Sequence, residues 1–520
     1  MPIQAARSSL GSSRTVVRRG CRDAGALAPD EPEDRARGER GRYPLALGAA
    51  SLLYLYVPLV IFAWGWLKPG LAAALTALLV GTAWRLCREV GARDEVSRRV
   101  VIWSLVLAIG WTLCAGVGGI GHQSSDWTKH EAVLKALVAN EWPVMIDGEV
   151  EGVSGRRHAL VLYLGYYLPA ATVGKALGWQ AANFALFGWT AGGVLLVLLW
   201  VERLIAAGPW AAVVFIFAGG LDVVACLLLH GNLFELPEHV EWWSGIWLYP
   251  SNSNLLFWVP HQALGAWLAT AMLLDGYLSS RSSQTAFLEF TGAAFHSPFA
   301  VVGMVPLLAL RLARQPRDWL TAWPTWTTVP TAGAILAAFY HSLRTPIPWA
   351  VPGVGISGRV VVLYLLFVGI EFGAFLLMCR PAANGEWKAV WLVVGATLAV
   401  IPFVRAGLFN DFVMRASIPA LFTLWILVAR SLLRPGLTLA RRRALACLVT
   451  LAALGPGNEI VRSIADWQGC VPELNGVAAV VACHPNRHVV AQYLGDLDAF
   501  FFRVLARRAP GGEQAPTAGP

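Results

Sequence analysis

Residues 180–201 read QAANFALFGWTAGGVLLVLLWV, a run without one charged side chain. A helix of that length crosses a hydrocarbon core of about 30 Å, and in lipid only helices and closed barrels satisfy every backbone group. The run does not alternate apolar and polar residues as a barrel strand would. Similar runs lie near 44–66, 71–87, 100–119, 210–229, 256–278, 325–342, 359–379, 388–404, 413–430 and 444–456. The whole chain agrees. Of 520 residues, 56% are hydrophobic and only 14% charged, with a mean hydropathy of +0.56, whereas soluble domains carry about a quarter charged residues. The expected fold class is all-α, a polytopic transmembrane helical bundle of about 11–13 spans.

Two segments suit simple crossings poorly. Residues 160–177 carry Tyr163, Tyr166, Tyr167, Pro169 and Lys175, as an interfacial or re-entrant helix does. Residues 285–312 are interrupted at His296, Ser297 and Pro298, as two half-helices meeting in the membrane would be. If neither crosses, the basic clusters at 85–99, 311–317, 430–434 and 441–443 all fall on one side, which the positive-inside rule makes cytoplasmic. This accounts for the formal charge of +9 without a polyanionic partner. The expected organisation is a disordered basic cytoplasmic tail over 1–43, a transmembrane domain over 44–456, and a small extracytoplasmic segment over 457–520. Outer loops span 120–158, 230–255, 343–358 and 405–412, in a multi-pass protein of the cytoplasmic membrane. Eight cysteines include no CxxC pair, and only Cys470 and Cys483 suggest a disulfide. No P-loop, dinucleotide fingerprint or DNA-reading module is present, which argues against ATP-driven transport and nucleic-acid partners.

The first outer loop contains HQSSDWTKHEAVLKALVANEW, residues 122–142. Leu134, Leu137 and Val138 share one helical face while Lys129, Glu131 and Lys135 point elsewhere, so the spacing predicts an amphipathic helix lying on the membrane. Asp126 stands at its mouth. Ser-Ser-Asp before a helix is an N-cap pattern, and Thr128 with Glu131 has capping-box spacing. The same carboxylate, at the membrane surface beside Lys129 and His130, is also placed to take a proton from a substrate hydroxyl.

A large outer loop opening on a carboxylate, then a surface helix, a Tyr/Pro-rich apolar segment and many spans, resembles the membrane glycosyltransferases of the GT-C superfamily over roughly residues 100–430. The chain departs from the family pattern in three ways. The loop follows the third expected span, Asp126 is flanked by Ser125 and Trp127 rather than a second acid, and the Pro-Pro-Leu that often follows the loop is represented by Tyr166, Tyr167, Leu168 and Pro169. The resemblance implies juxtamembrane helices in the outer loop and a polyprenyl-phosphate sugar donor from the membrane lipid. It also implies a glycan, lipid or protein acceptor, inversion by direct displacement, and Asp126 as catalytic base. It leaves room for a divalent cation, Mg or Mn, as cofactor.

Three further groups are candidates. Residues 230–261 pack Trp242, Trp243, Trp247 and Trp258 among Glu241, Asn252 and Asn254, either as an aromatic belt or as a sugar-binding rim. His261 opens the following span, within reach of a leaving phosphate or as an anchoring core histidine. The segment NDFVMRASIP holds Asn410, Asp411 and Arg415, read as an internal i,i+4 ion pair or as a lipid-phosphate site. Asp222 and Glu371 lie within spans, where a carboxylate is a functional candidate. Asp222 is placed to share a cavity with Asp126, and Glu371 to bind a neighbouring helix. These two carboxylates support the alternatives to an enzyme: a transporter or flippase of a lipid-linked sugar. A non-enzymatic scaffold is the remaining alternative.

Overall fold

The computed structural model describes residues 42–45, 47–89, 94–147, 157–230, 240–279, 283–343, 349–350, 357–407, 410–467 and 493–507. Nearly all of the expected tail, together with Cys470 and Cys483, lies outside the described residues. The described residues are about 79% helical, which fits the all-α class. Among the described residues five helices are long and apolar enough to cross a membrane: Leu47–Trp66, Trp179–Ile205, Gly358–Ala382, Glu386–Phe403 and Leu439–Ala465.

In chain order, α1 (Leu47–Trp66), α2 (Pro69–Glu89) and α3 (Arg98–Cys114) precede the first loop. That loop contains α4 (Trp127–Ala139), β1 (Met145–Asp147) and β2 (Arg157–Leu160). Then come α5 (Leu168–Leu177), α6 (Trp179–Ile205), α7 (Pro209–Ile216), α8 (Asp222–His230), α9 (Asn252–Trp258) and α10 (Pro260–Leu278). Next are α11 (Ala286–Ala294), α12 (Pro298–Arg314) and α13 (Thr328–His341). The chain continues through α14 (Gly358–Ala382), α15 (Glu386–Phe403), α16 (Asp411–Ala416), α17 (Ile418–Leu433), α18 (Leu439–Ala465) and β3 (Leu494–Gly495).

The two segments set apart from simple crossings are short or broken as expected, and one expected span takes a different form. With its ten residues, α5 rises only about 15 Å and is too short to cross. The run at 210–229 is two helices, α7 and α8, parted at Phe217–Leu221. Hydropathy does not reveal the break, because the freed backbone is satisfied by a neighbouring turn. The Asn252 N–H donates to the Ala218 carbonyl at 2.9 Å, the Asn252 amide to Phe215 O at 2.8 Å, and Ser253 Oγ to Ile216 O at 3.0 Å. Irregular backbone inside a membrane protein persists where buried polar groups complete it in this way. The break at His296–Pro298 is also present: Ser297 caps α12 by accepting the Ala300 N–H, and α11 and α12 pack on each other. Residues 457–465 continue α18 past the expected boundary at 456.

The centre of the bundle is α10, buried from Pro260 through Tyr277 and surrounded by α6, α11, α12 and α17. A helix apolar all round belongs to a core. Its Trp267 lies 6.0 Å from the Trp111 ring in a stacked pair and 5.5 Å from Phe215 edge-on. Elsewhere, α12 meets α16 across Gly303, where a Cβ would overlap the Ala416 carbonyl oxygen. Gly303→Ala is therefore expected to cost about 1–3 kcal/mol, seen as a lower midpoint for heat-induced aggregation of the purified protein.

The bundle has two chemically distinct ends. At one, Arg203 pairs with Asp275 at 2.8 Å, Arg314 with Glu386, and Arg85 donates to Gln284 at 2.8 Å. Arg430 lies over Trp387 at 4.9 Å, and Arg434 reaches the Ala206 carbonyl at 3.2 Å. At the other end, antiparallel β1, β2 and β3 form a small sheet in register Met145↔Ala159↔Gly495. The Arg507 N–H bonds the Trp66 carbonyl at 2.8 Å. Residues 493–507 thus pack against β2 and the end of α1.

Candidate functional site

The opposite end from the arginines carries the polar cluster. Gly116, Gly118, Gly119 and Gly121 all have φ between 69° and 95°, a left-handed path that only glycine takes freely. It turns the chain sharply out of α3 and delivers Asp126 to the start of α4. There Asp126 occupies the N-cap position but accepts no capping hydrogen bond. Its carboxylate instead meets Lys129 Nζ at 2.6 Å, with the aspartate side chain 28% exposed. The capping reading is not realised.

The rest of α4 turns inward. Trp127 and Glu131 are buried, so the helix packs into the protein more deeply than an amphipathic surface helix would. Burial pushes the Glu131 carboxyl up from its ordinary range. Trp127 Nε1 donates to the Phe257 carbonyl at 3.0 Å, and His130 Nε2 bonds the Trp258 carbonyl at 2.9 Å. A carbonyl only accepts, so Nε2 carries the proton and Nδ1 accepts from the Tyr167 hydroxyl. Burial lowers the His130 pKa to about 4. The ring is neutral near pH 7 and serves as a scaffold linking α4, α5 and α9.

Against His130 sits His261, the ring centroids 4.9 Å apart, with Tyr163 4.8 Å from His261 on another side. The Gln262 amide donates to His261 Nε2 at 2.9 Å, which leaves His261 Nδ1 buried with no partner. Tyr163 has φ +54°, unusual for a bulky side chain. Its ring lies under the Arg415 guanidinium at 5.5 Å and edge-on to Tyr493 at 6.0 Å. Arg415 pairs with Asp411 at 2.9 Å, while its Nε is buried and unpartnered. Arg415 lies within electrostatic reach of both Asp411 and Asp126. Asn410 donates to the Ile246 carbonyl at 3.1 Å. Asp126, Lys129, His130, His261, Asn410, Asp411 and Arg415 thus converge from three distant parts of the sequence.

The remaining candidates gather elsewhere. Asp222 does not join Asp126; it faces Glu371, whose Oε1 accepts the Trp243 indole N–H at 2.7 Å. Glu241 takes the Ser251 N–H at 2.8 Å and the Asn254 side chain as partners. Burial, with the Asp222 carboxyl opposite, pushes the Glu241 carboxyl up. Among the described residues no arginine, lysine or histidine pairs with these three buried acids. Glu371 stands in a π-helical turn, Gly369–Gly373, a form frequent at functional sites. A Cβ on Gly220 would overlap the Glu371 carboxylate, so the break between α7 and α8 is where the acids meet.

The Trp-rich loop is spent on these inward contacts. Trp247 Nε1 donates to the Pro402 carbonyl at 2.9 Å, and Asn252 is committed to Phe215, so neither offers a free rim for a sugar. Trp242 is only half-buried. One short helix links the two clusters: α9 begins at the Ser251 N–H held by Glu241 and ends at the carbonyls held by Trp127 and His130.

The sequence reading overlooked Gln262 and Tyr493. Gln262 was marked only by its place beside His261. Tyr493 carried no local signal, since pairing of β3 with β2 brings it in. Among the described residues no three His, Cys, Asp or Glu side chains are arranged to hold a metal ion. The charged partner of Asp126 is Lys129. Comparison of the chain with known protein families, curated proteins and solved structures gave no match.

Proposed function

We propose that the protein is a membrane glycosyltransferase of GT-C type, moving a sugar from a polyprenyl-phosphate donor to a glycan, lipid or protein acceptor at the extracytoplasmic face. The observation that carries this reading is the convergence of Asp126, His261 and Arg415 at the end opposite the arginines. Asp126 is the partly exposed carboxylate of the group, suited to accept the acceptor hydroxyl proton as its oxygen attacks the anomeric carbon. The sugar–phosphate oxygen bond breaks, and the departing phosphate takes the electron pair. His261 Nδ1 and Arg415 Nε, both unpartnered donors, suit that developing charge. Lys129 orients the Asp126 carboxylate.

The positive-inside rule places the arginine-rich end in the cytoplasm and this cluster outside. A cysteine at Gly152, in a protein otherwise lacking reactive thiols, is expected to react with an impermeant maleimide on intact cells. Reaction only after permeabilisation would remove the site assignment along with the orientation.

The acids Asp222, Glu241 and Glu371 favour a second reading, proton-coupled transport of a lipid-linked sugar. Buried membrane carboxylates without cationic partners are a usual feature of proton relays. The two readings differ in the fate of the donor: the first cleaves it, the second moves it intact.

A further inference from the structure

A groove of about 510 Å³ lies at the carboxyl end of α1 and shares no lining residue with either polar cluster. Val60, Ile61, Trp64 and Trp142 line its apolar part, and Lys175 and Arg507 belong to the same lining. We propose that this groove binds a glycerophospholipid, with its phosphate between Lys175 and Arg507 and an acyl chain along Val60, Ile61 and Trp64.

The polarity of the groove follows the helix axis. Val60 and Ile61 lie one turn before Trp64, inside a helix long and apolar enough to span. Arg507 sits at the helix end, where its Nη1 donates to the Trp64 carbonyl at 3.2 Å and its N–H to the Trp66 carbonyl. Lys175 Nζ bonds the Asn140 carbonyl and lies 5.1 Å from the Trp142 ring centre. With α1 crossing the bilayer, the apolar wall faces acyl chains and both cations stand at headgroup level. Trp64, half exposed, is the residue type that favours this interface.

Charge complementarity selects the headgroup chemistry. Two cations face a single carboxylate, Glu141, in the lining, and both Lys and Arg have more donors than these carbonyls use. Those donors fit phosphate oxygens. The wall is also held in place: a Cβ on Gly65 would come within 2.7 Å of the Trp142 ring, so glycine there lets the indole close one side.

The test uses the purified full chain in nanodiscs with phosphatidylglycerol carrying a photoreactive group in its acyl chain. On the wild-type protein, crosslinks are expected to concentrate on peptides containing residues 60–64 and 142. Unlabelled phosphatidylglycerol and phosphatidylethanolamine should compete; diacylglycerol and inorganic phosphate should not. Labelling there should fall by about tenfold in a Lys175→Gln, Arg507→Gln double variant, because two charge-assisted contacts are lost. Val60→Trp, which fills the groove and keeps both cations, should also lose it. Crosslinks spread evenly over the exposed apolar surface would overturn the proposal. So would competition by diacylglycerol equal to that of the phospholipids, or displacement by inorganic phosphate, which would mark a free-anion site.

Discussion

Asp126→Asn is expected to fold normally and to lose transfer by about 10²- to 10⁴-fold, the range for removing a general base. Normal folding is expected because little structure depends on this carboxylate. It makes no capping bond, and its ion pair with Lys129 is partly exposed, a class of contact worth about 0–1 kcal/mol. Asn keeps the size and loses the basicity. Lys129→Met provides the contrast, since it breaks the same ion pair and leaves the base in place. It should lower kcat by less than Asp126→Asn does, because the base remains and only its orientation is lost. Turnover and thermal midpoint measured on both variants separate the roles, and an Asp126→Asn protein with near-normal turnover would leave the residue without a part in the chemistry.

Arg415→Lys is expected to weaken donor binding by about tenfold or more, because the ammonium keeps the charge but loses the planar fork that grips phosphate through two bonds. In the structure Nη1 is engaged by Asp411 while Nε is buried and unpartnered, so one edge of the guanidinium is available to a ligand. The double variant Asp411→Asn with Arg415→Gln removes the internal pair as a unit and avoids a stranded buried charge. If the pair is structural only, donor affinity should be unchanged in both proteins. If Arg415 holds phosphate, both should lose affinity while remaining folded.

Much of the helical architecture could be read from the apolar runs, because a lipid or protein interior imposes the same requirement on every backbone group. The number of crossings could not. Hydropathy does not separate a spanning helix from a core helix such as α10, which is buried along nearly its whole length. It also passes over the break at Gly219–Gly220, which depends on Asn252 and Ser253 supplying distant hydrogen bonds.

The site divides in the same way. Asp126, His261 and Arg415 were visible because each is a charged or titratable side chain at the end of an apolar run. Their neighbours Tyr163 and Tyr493 meet only through tertiary pairing. The contact of Trp243 with Glu371 has no sequence signal for a related reason: an indole near a membrane surface looks the same in sequence whether it faces sugar, lipid or a buried carboxylate.

The function proposed for the polar cluster around Asp126 is cleavage of a lipid-linked sugar. It is tested most directly by reconstituting the wild-type protein in liposomes with a labelled polyprenyl-phosphate sugar and an acceptor, then following both halves of the donor. Free polyprenyl phosphate should appear together with a glycoside of inverted anomeric configuration. Recovery of the intact donor on the opposite leaflet, with no free polyprenyl phosphate, would contradict the account and assign the protein to transport.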